Sequence, residues 1–368
     1  MSDNSFGQAL RMTSFGESHG KAVGVVIEGL PAGLVVDQEK IQIWLDRRRP
    51  GQSKLASNRK ESDIINLLSG VYKDRTTGAP LTVVVQNEDV MPEFYNDIEA
   101  GWARPGHADY PAFVKYGGYN DPRGGGRFSA RITVGFVIAG AISHSLIKES
   151  LGIDVVAYVK RIGAVEARGL SFEEALNRYD YSMRCPEAEA NERMEQEVSS
   201  AKKDGDSVGG IIECLTTPVQ PGLGQPVFSS LDSELAKGLF SIPAVKAVEF
   251  GAGFQASGWR GSRNNDIYEI RNDAIRTRTN NSGGIIGGLT IGEPLVIRVG
   301  FKPTSSIYLP QQTVNFKEMK EGTLSLKGRH DPCVVPRAVP IVESIVSFTL
   351  ADMAIRGGMI RQVLRKDR

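Results

Sequence analysis

The chain has 368 residues and an almost balanced charge, 44 basic against 43 acidic side chains, for a net charge of +1. Proteins that bind nucleic acids usually carry a basic excess, so this balance indicates that the chain binds no nucleic acid. A hydrophobic content of 40% and a charged content of 24% are typical of a soluble globular protein with a large core.

The predicted elements, in chain order, mix strands and helices without regular alternation. Strands are predicted over 21–30, 81–86, 208–215, 245–250 and 295–299, and helices over 37–46, 132–146, 187–203 and 338–355. Residues 171–174 form a capping box that opens a further short helix. Regular strand–helix alternation would indicate a parallel sheet, so its absence favours an α+β fold with antiparallel sheets.

The cysteines and the apolar segments indicate a cytoplasmic protein without a membrane-spanning helix. Cys185, Cys214 and Cys333 are odd in number, far apart and without the spacing of a metal site, which is typical of a reducing compartment. The polar N-terminus lacks a secretory pattern. The uncharged stretch 132–147 is shorter than the ~20 apolar residues of a membrane span, so we predict a buried helix there.

The stretch 123–131, Arg-Gly-Gly-Gly-Arg-Phe-Ser-Ala-Arg, has the composition of an anion-binding loop. Three glycines let the backbone approach a ligand closely, and arginines grip phosphate or carboxylate in a two-pronged manner. The apolar run that follows would place the loop at a helix N-terminus, which also favours anions. In a chain with 27 Arg, 17 Lys and no net basic excess, such clusters indicate a small, multiply charged anion.

Three of the four histidines lie in polar segments marked by glycine or proline: His19, His107 and His330. Histidine is the side chain that transfers protons near neutral pH, so these segments are candidates for acid–base chemistry, although loop histidines are often plain surface residues. Asp331 follows an arginine, which favours its carboxylate form, but the same stretch also suits a turn before the last helix. His144, within an apolar helix, is expected in the core.

Two further segments are candidate ligand contacts. Residues 302–306, Lys-Pro-Thr-Ser-Ser, follow a predicted strand and offer one ammonium and three hydroxyls to an anion or cofactor, or form a polar turn. The paired glycines in 280–288 would let a flat ring lie against the backbone, or would mark close packing of strands.

Taken together, six segments resemble the motifs of the chorismate synthase family, in the order of that family. They are 15–20, 46–51, 104–109, 123–131, 302–306 and 329–333. Each motif alone is weak, but six in order are specific, and the resemblance extends over nearly the whole chain. It therefore predicts that residues 1–368 form a single domain.

The resemblance implies a reaction, a cofactor and a fold. The reaction is the anti-1,4-elimination of phosphate and a ring proton from 5-enolpyruvylshikimate 3-phosphate, giving chorismate in the last common step of the shikimate pathway. Reduced FMN is required without net redox change. The implied fold is a β-α-β sandwich, with helices between antiparallel sheets, assembled as a homotetramer. Because no reductase domain is appended, we expect NADPH to act only as an indirect electron source.

The resemblance also implies roles for individual residues. His19 and His107 would be the acids, one near the leaving phosphate and one near the flavin, and Asp331 would assist removal of the ring proton. Substrate anions would be held by Arg48, Lys54, Arg131 and Arg329. The FMN site would comprise Arg48, Lys54, Arg127, Phe128, Ser129, Pro243, Ala244, Gly287, Lys302, Pro303, Thr304, Ser305, Ser306 and Arg329. Lys54, Phe128 and Pro243 depart from residues common in the family, and we expect them to tune affinity.

Two other functions fit parts of the pattern. A flavin-dependent oxidoreductase or another lyase with a phosphorylated substrate would use the same anion-binding loops, and net hydride transfer would distinguish the oxidoreductase. An RNA-binding module would also use loops of arginine and glycine with aromatic residues. The neutral net charge and the clustered histidine and aspartate residues disfavour that module, and a salt-dependent RNA affinity would reveal it.

Overall fold

The computed structural model describes residues 3–49, 51, 61–88, 95–328 and 330–364, where antiparallel sheets enclose a layer of helices. The strands are β1 (Ser5–Phe6), β2 (Arg11–Gly16), β3 (Ala22–Glu28), β4 (Ile65–Ser69), β5 (Val71–Tyr72), β6 (Arg75–Thr76), β7 (Leu81–Gln86), β8 (Val155–Ile162), β9 (Val165–Glu166), β10 (Gly210–Thr216), β11 (Val245–Phe250), β12 (Tyr268–Arg271), β13 (Ala274–Thr277), β14 (Ile285–Ile286), β15 (Leu289–Thr290), β16 (Val296–Phe301), β17 (Gln311–Asn315) and β18 (Lys320–Leu324). The α-helices are α1 (Gln38–Arg48), α2 (Asn96–Glu99), α3 (Asp109–Tyr116), α4 (Thr133–Leu151), α5 (Phe172–Ala175), α6 (Ala188–Lys203), α7 (Leu231–Phe240), α8 (Gly261–Asn264) and α9 (Val335–Arg356).

The first large sheet has the strand order β1-β2-β3-β7-β4, and every pairing in it is antiparallel. In β3, Val23, Val25 and Ile27 are buried, and Val25 lies opposite Val83 of β7. Because side chains alternate between the two faces of a strand, these β-branched residues form one apolar face directed at the helical layer.

The second large sheet has the order β11-β16-β10-β8-β9 and is likewise antiparallel. Its central strands carry buried residues such as Ile212, Cys214 and Ile297 on the face toward the helices. The far side of this sheet has a smaller apolar cluster around Tyr158. The main core therefore lies between the two sheets.

Helices α4 and α9 pack against each other and fill the space between the sheets, α4 against β3 and α9 against β8 and β10. The two helices can cross closely because Gly140 has no side chain. An added Cβ at Gly140 would lie only 2.1 Å from the Cβ of Ser344. The spans Ala130–Leu151 and Val335–Arg356 are long and apolar enough to cross a membrane, yet 83% and 100% of their apolar windows are buried inside the protein. Such burial is typical of core helices.

Two buried carboxylates of α9 connect the layers. Asp352 accepts hydrogen bonds from the backbone N–H groups of Gln8, Ala9 and Leu10, which connect β1 and β2 of the first sheet. Glu343 accepts one from the backbone N–H of Ala157 in the second sheet. Because buried acceptors must be satisfied, these bonds fix the position of α9 relative to both sheets.

The structure confirms the predicted α+β fold, a sandwich with helices between antiparallel sheets. Helix α1 begins after Asp37, whose side chain accepts a hydrogen bond from the Lys40 N–H, and the capping box at Ser171 is present. Helix α9 begins three residues before the predicted start, because Pro336 lies in the first turn, where no backbone N–H is needed. That residues 1–368 form a single domain stays a prediction.

Candidate active site

A cavity of about 400 Å³ is formed by loops that lie far apart in the sequence. Its wall combines residues next to α3, the start of α4, the segments after α7 and β16, and the start of α9. Most of the predicted site residues line it: Arg48, His107, Phe128, Ser129, Arg131, Pro243, Ala244, Lys302, Thr304, Ser305, Ser306 and Asp331. The cavity is therefore the candidate active site.

Other predicted residues lie elsewhere. His19 is buried behind the cavity wall, with its ring edge-on to Tyr95 at 4.8 Å between centroids. Arg127 donates hydrogen bonds to the Gly16 carbonyl (3.0 Å) and to Asn4 (2.9 Å), so it attaches the glycine loop to the first sheet. Gly287, between β14 and β15, and the exposed Pro303 are not part of the cavity wall. Lys54 and Arg329 lie outside the described residues.

The two predicted substrate arginines, Arg48 and Arg131, are each only 3% exposed and are held by buried carboxylates. Arg131 donates to Asp63 through Nη1 and to Asn87 through Nε (2.8 Å), and its Nη2 lies 3.4 Å from Glu61. Arg48 reaches the other oxygen of Asp63 at 3.9 Å. Burial raises the pKa of Asp63, but both arginines outweigh burial and lower it. The shared carboxylate therefore fixes both guanidinium groups in place.

His107 belongs to a buried network with Arg104 and Asp109. Its Nδ1 lies 2.8 Å from Asp109 Oδ1, and Arg104 grips the same carboxylate with two hydrogen bonds of 2.7 and 2.8 Å. Burial lowers the pKa of His107, and the charges of Arg104 and Lys302 add to that effect, while the Asp109 bond opposes it. Burial disfavours the charged form of Asp109, but the bonds from Arg104 and His107 outweigh burial and lower its pKa. The network fixes the imidazole orientation.

Two of the three glycines of the anion loop, Gly124 and Gly125, make room for the two histidines. At Gly124, φ is +58° and an added Cβ would lie 2.3 Å from His19 Nδ1. At Gly125, φ is +83° and a Cβ would lie 2.9 Å from His107 Cε1. Any other residue here would meet backbone strain and one of the two rings. The loop therefore places the two histidines on either side of itself, a role the sequence did not indicate.

Asp331 is held in the cavity wall by the N-terminal part of α9. Arg337 donates to the Asp331 carboxylate through Nη1 and to the Arg48 carbonyl through Nε at 3.1 Å. The Thr304 hydroxyl donates to the Asp331 carbonyl at 2.9 Å. Arg337 thus connects Asp331 to the C-terminal end of α1, which carries Arg48.

The rest of the cavity wall is apolar on one side and bears hydroxyl groups on another. Apolar contacts come from Ile242, Pro243, Ala244, Phe301, Val334, Ala338 and Ile341. Thr304, Ser305 and Ser306 provide hydroxyls next to Lys302, whose pKa is lowered by burial and by the neighbouring charge of Lys246. An apolar wall suits a flat aromatic ring, while hydroxyls and an ammonium suit a phosphate.

Sequence reasoning missed the partners that orient these groups: Glu61, Asp63, Arg104, Asp109 and Arg337. Arg104 and Asp109 belong to one of the six motifs, and their five-residue spacing around a histidine was an available signal. Nothing in the sequence indicates that Asp63 is buried or that it meets Arg131, because this contact joins residues 68 positions apart.

Comparison with known proteins agrees with this architecture. The family model described as "Chorismate synthase" matches residues 10–355. The chorismate synthase of Korarchaeum cryptofilum is 50% identical over 357 residues, covering 97% of this chain and 98% of the relative. That of Pyrococcus abyssi is 50% identical over 346 residues, covering 94% and 96%.

A solved structure shares the fold as well as the sequence pattern. A crystal structure of chorismate synthase superposes with a TM-score of 0.75 and 28% identity, covering 95% of this chain and 93% of the other. The resemblance predicted from six motifs is thereby confirmed along almost the full length. The chain belongs to the chorismate synthase family.

Proposed function

We propose that this chain removes phosphate and a ring proton from 5-enolpyruvylshikimate 3-phosphate by anti-1,4-elimination and releases chorismate. The reaction would require reduced FMN without net redox change and would be the last common step of the shikimate pathway. Family membership supports chorismate synthase, a lyase, as the activity. The observation that carries the finer proposal is the convergence of Arg48, Arg131, His107 and Asp331 on one cavity.

The cationic groups of the cavity match the charges of this substrate, which carries one phosphate and two carboxylates. Arg48, Arg104, Arg131, Lys302 and Arg337 all line the wall. Because the buried guanidinium groups are already oriented by carboxylates, little reorganisation is needed when an anion binds or when charge develops on the leaving phosphate. Preorganised charge of this kind usually contributes more to catalysis than any other single effect.

We assign proton donation to His107, and the structure suggests how a bound anion would control it. In the protein, burial and the nearby positive charges lower its pKa, which favours the neutral imidazole. A phosphate close to the ring would favour the charged form and raise that pKa. Asp109 accepts from the protonated Nδ1 and leaves Nε2, the nitrogen against Gly125, for the exchanging proton. His19, on the other side of the loop, is the second candidate acid.

Removal of the ring proton is assigned to the Asp331 region. The carboxylate side chain is only 10% exposed and is oriented by Arg337, so water has little access to it. A carboxylate held in this way can accept or guide a proton at the cavity surface. We propose that Asp331 orients the proton acceptor for the departing ring hydrogen.

The cavity fits FMN by the chemistry of its wall. The apolar surface around Ile242, Pro243 and Ala244 can lie against a flat ring, and the hydroxyls of Ser305 and Ser306 next to Lys302 can hold its phosphate. Phe128 and Ser129 border the same space. When bound, reduced FMN supplies the electron-rich ring that lowers the barrier to loss of phosphate. The positions implied for FMN at Lys54, Gly287 and Arg329 stay predictions.

We also propose that the protein is a cytoplasmic homotetramer and that NADPH serves only as an indirect electron source. Large apolar side chains on the surface support assembly: Val227 is 79% exposed, Phe228 97%, Phe254 78% and Ile270 82%. Large exposed apolar side chains of this kind would be covered in an interface between copies of the chain. We expect that NADPH and FMN with purified protein will not sustain turnover; sustained turnover would show that the chain reduces its own flavin.

The function is tested by anaerobic turnover. Purified protein, 5-enolpyruvylshikimate 3-phosphate and dithionite-reduced FMN are mixed, and released phosphate and chorismate absorbance are followed together. Oxidised FMN is the matched control. Product only with reduced flavin supports the proposal. Flavin binding without product would require another substrate, and the absence of both would favour a simple anion-binding module.

A further inference from the structure

Asn87 lies directly after β7, outside the cavity wall, and its side chain joins two parts of the candidate site. Its amide oxygen accepts a hydrogen bond from Arg131 Nε at 2.8 Å. Its amide nitrogen donates to the carbonyls of Glu17 (3.0 Å) and Gly20 (2.8 Å), the two ends of the turn that carries His19. The arginine only donates and the carbonyls only accept, so these partners determine which amide atom faces which side.

The strand pairing places Asn87 at this junction. Strands β3 and β7 are antiparallel and Ala22 lies opposite Gln86, so the residue after β7 faces the residue before β3. The backbone N–H of Asn87 accordingly donates to the Lys21 carbonyl at 3.1 Å. One backbone bond and two side-chain bonds thus attach Asn87 to the connection between β2 and β3.

Arg131 is held by other groups besides Asn87. Its guanidinium contacts the carboxylates of Asp63 and Glu61 and donates to the Gln86 carbonyl. These contacts remain when the Asn87 side chain is removed. Since two of them are made to carboxylates, we expect the guanidinium to keep its position.

The turn that carries His19 is held less firmly. A bond from the Ser18 N–H to the Gly126 carbonyl ties the turn to the anion loop at 3.3 Å, longer than either bond from the Asn87 amide. The His19 ring packs so closely on Gly124 of that loop that an added Cβ would lie 2.3 Å from Nδ1. A small shift of the turn would therefore change the position of the imidazole.

We propose that Asn87 is a positioning residue that fixes His19, a candidate acid, relative to Arg131 and the anion that this arginine would hold. The inference rests on the proposed function, which makes Arg131 a substrate contact and His19 a proton donor. Asn87 is not part of the cavity wall, so it acts through the turn. Its loss should therefore affect kcat more than KM.

A double-mutant cycle in the anaerobic phosphate-release assay tests this role. Asn87→Ala is measured in the wild type and in a His19→Gln background, and urea unfolding shows that each variant is folded. Should Asn87→Ala fail to fold, Asn87→Asp takes its place, because an ionised aspartate has the same shape but cannot donate to the turn carbonyls.

Asn191→Ala is the matched control. This buried asparagine of α6 also joins two segments through its amide, which accepts from the Met183 N–H at 3.0 Å and donates to the Ser182 hydroxyl at 3.3 Å. None of these three residues lines the cavity. Asn191→Ala should therefore keep the wild-type kcat.

We expect Asn87→Ala to lower kcat about tenfold or more, while KM for the substrate stays within about threefold of wild type. In the His19→Gln background the same change should cost less than about twofold in kcat, because its effect passes through His19.

An unchanged kcat in Asn87→Ala would overturn the inference, as would an equal loss in both backgrounds, an unchanged kcat in His19→Gln or a similar loss in Asn191→Ala. The proposed function would stand in each of these cases, because the wild type still forms chorismate. A wild-type protein that forms no chorismate with reduced FMN would overturn the proposed function and the inference with it.

Discussion

Replacing Gly124 by alanine tests whether the glycine loop positions the histidines. The new Cβ would lie 2.3 Å from His19 Nδ1, whereas ordinary contacts begin at 3.4 Å, so the ring must move by about 1 Å. It cannot move freely, because it is buried and packs against Tyr95. A displacement of about 1 Å in a catalytic group can cost on the order of 100-fold in rate. We expect kcat to fall by about that factor.

Gly152→Ala is the matched control. Gly152 ends α4 with φ of +68°, close to the +58° of Gly124, but nothing lies within 4 Å of an added Cβ. Both variants should lose about 1–2 kcal/mol of stability from left-handed backbone strain, measured by urea unfolding. Only Gly124→Ala should lose kcat in the anaerobic phosphate-release assay. If both variants keep the wild-type kcat, the loop does not set the position of His19.

Three other changes test single contacts. Asp331→Asn should lower kcat far more than it changes KM, and an unchanged kcat would remove Asp331 from the chemistry. Asp63→Asn removes the negative charge that pairs with the buried Arg131 guanidinium, so it should lower the free energy of unfolding by about 3 kcal/mol at pH 7. Because the pKa of Asp63 is lowered in the folded state, its carboxylate stabilises the protein at pH values above its unfolded pKa of 3.8, and this stability is lost as the pH falls. In Asp63→Asn, stability should therefore fall less steeply in acid. The pKa of His107 is lowered below 6.5 in the folded state, so the unfolded chain binds the proton at higher pH than the folded protein does. The free energy of unfolding should therefore fall as the pH drops below about 6.5, and His107→Gln should make this fall less steep.

Much of the fold was predictable from local patterns in the sequence. Helix α1 carries its cap at Asp37, and strand β7 has alternating buried valines between clear turn residues. Strand β2, Arg11–Gly16, was missed because its sequence mixes polar and apolar residues, and its partner β3 rather than its own periodicity determines its conformation. The pairing of strands within each sheet likewise depends on contacts distant in sequence.

The candidate site was predictable only in its motif residues. His107 and Asp331 stand in segments whose composition already indicates chemistry. The partners that orient these groups cannot be recognised from the sequence. Asp63 resembles any polar loop residue, and only the fold shows that it lies beside Arg131. Arg337 stands just before the predicted apolar helix, and only the fold shows that it contacts Asp331. Sequence motifs thus indicate which groups react, while the tertiary contacts determine how those groups are charged and oriented.

The proposed reaction needs a reduced flavin but does not consume it, and one anaerobic experiment measures both properties. Protein loaded with reduced FMN receives less than one equivalent of 5-enolpyruvylshikimate 3-phosphate per site, and phosphate, chorismate and the flavin absorbance spectrum are recorded to completion. We expect equal amounts of phosphate and chorismate, with the flavin still fully reduced at the end. Oxidation of the flavin in proportion to product would contradict the proposed reaction and indicate an oxidoreductase.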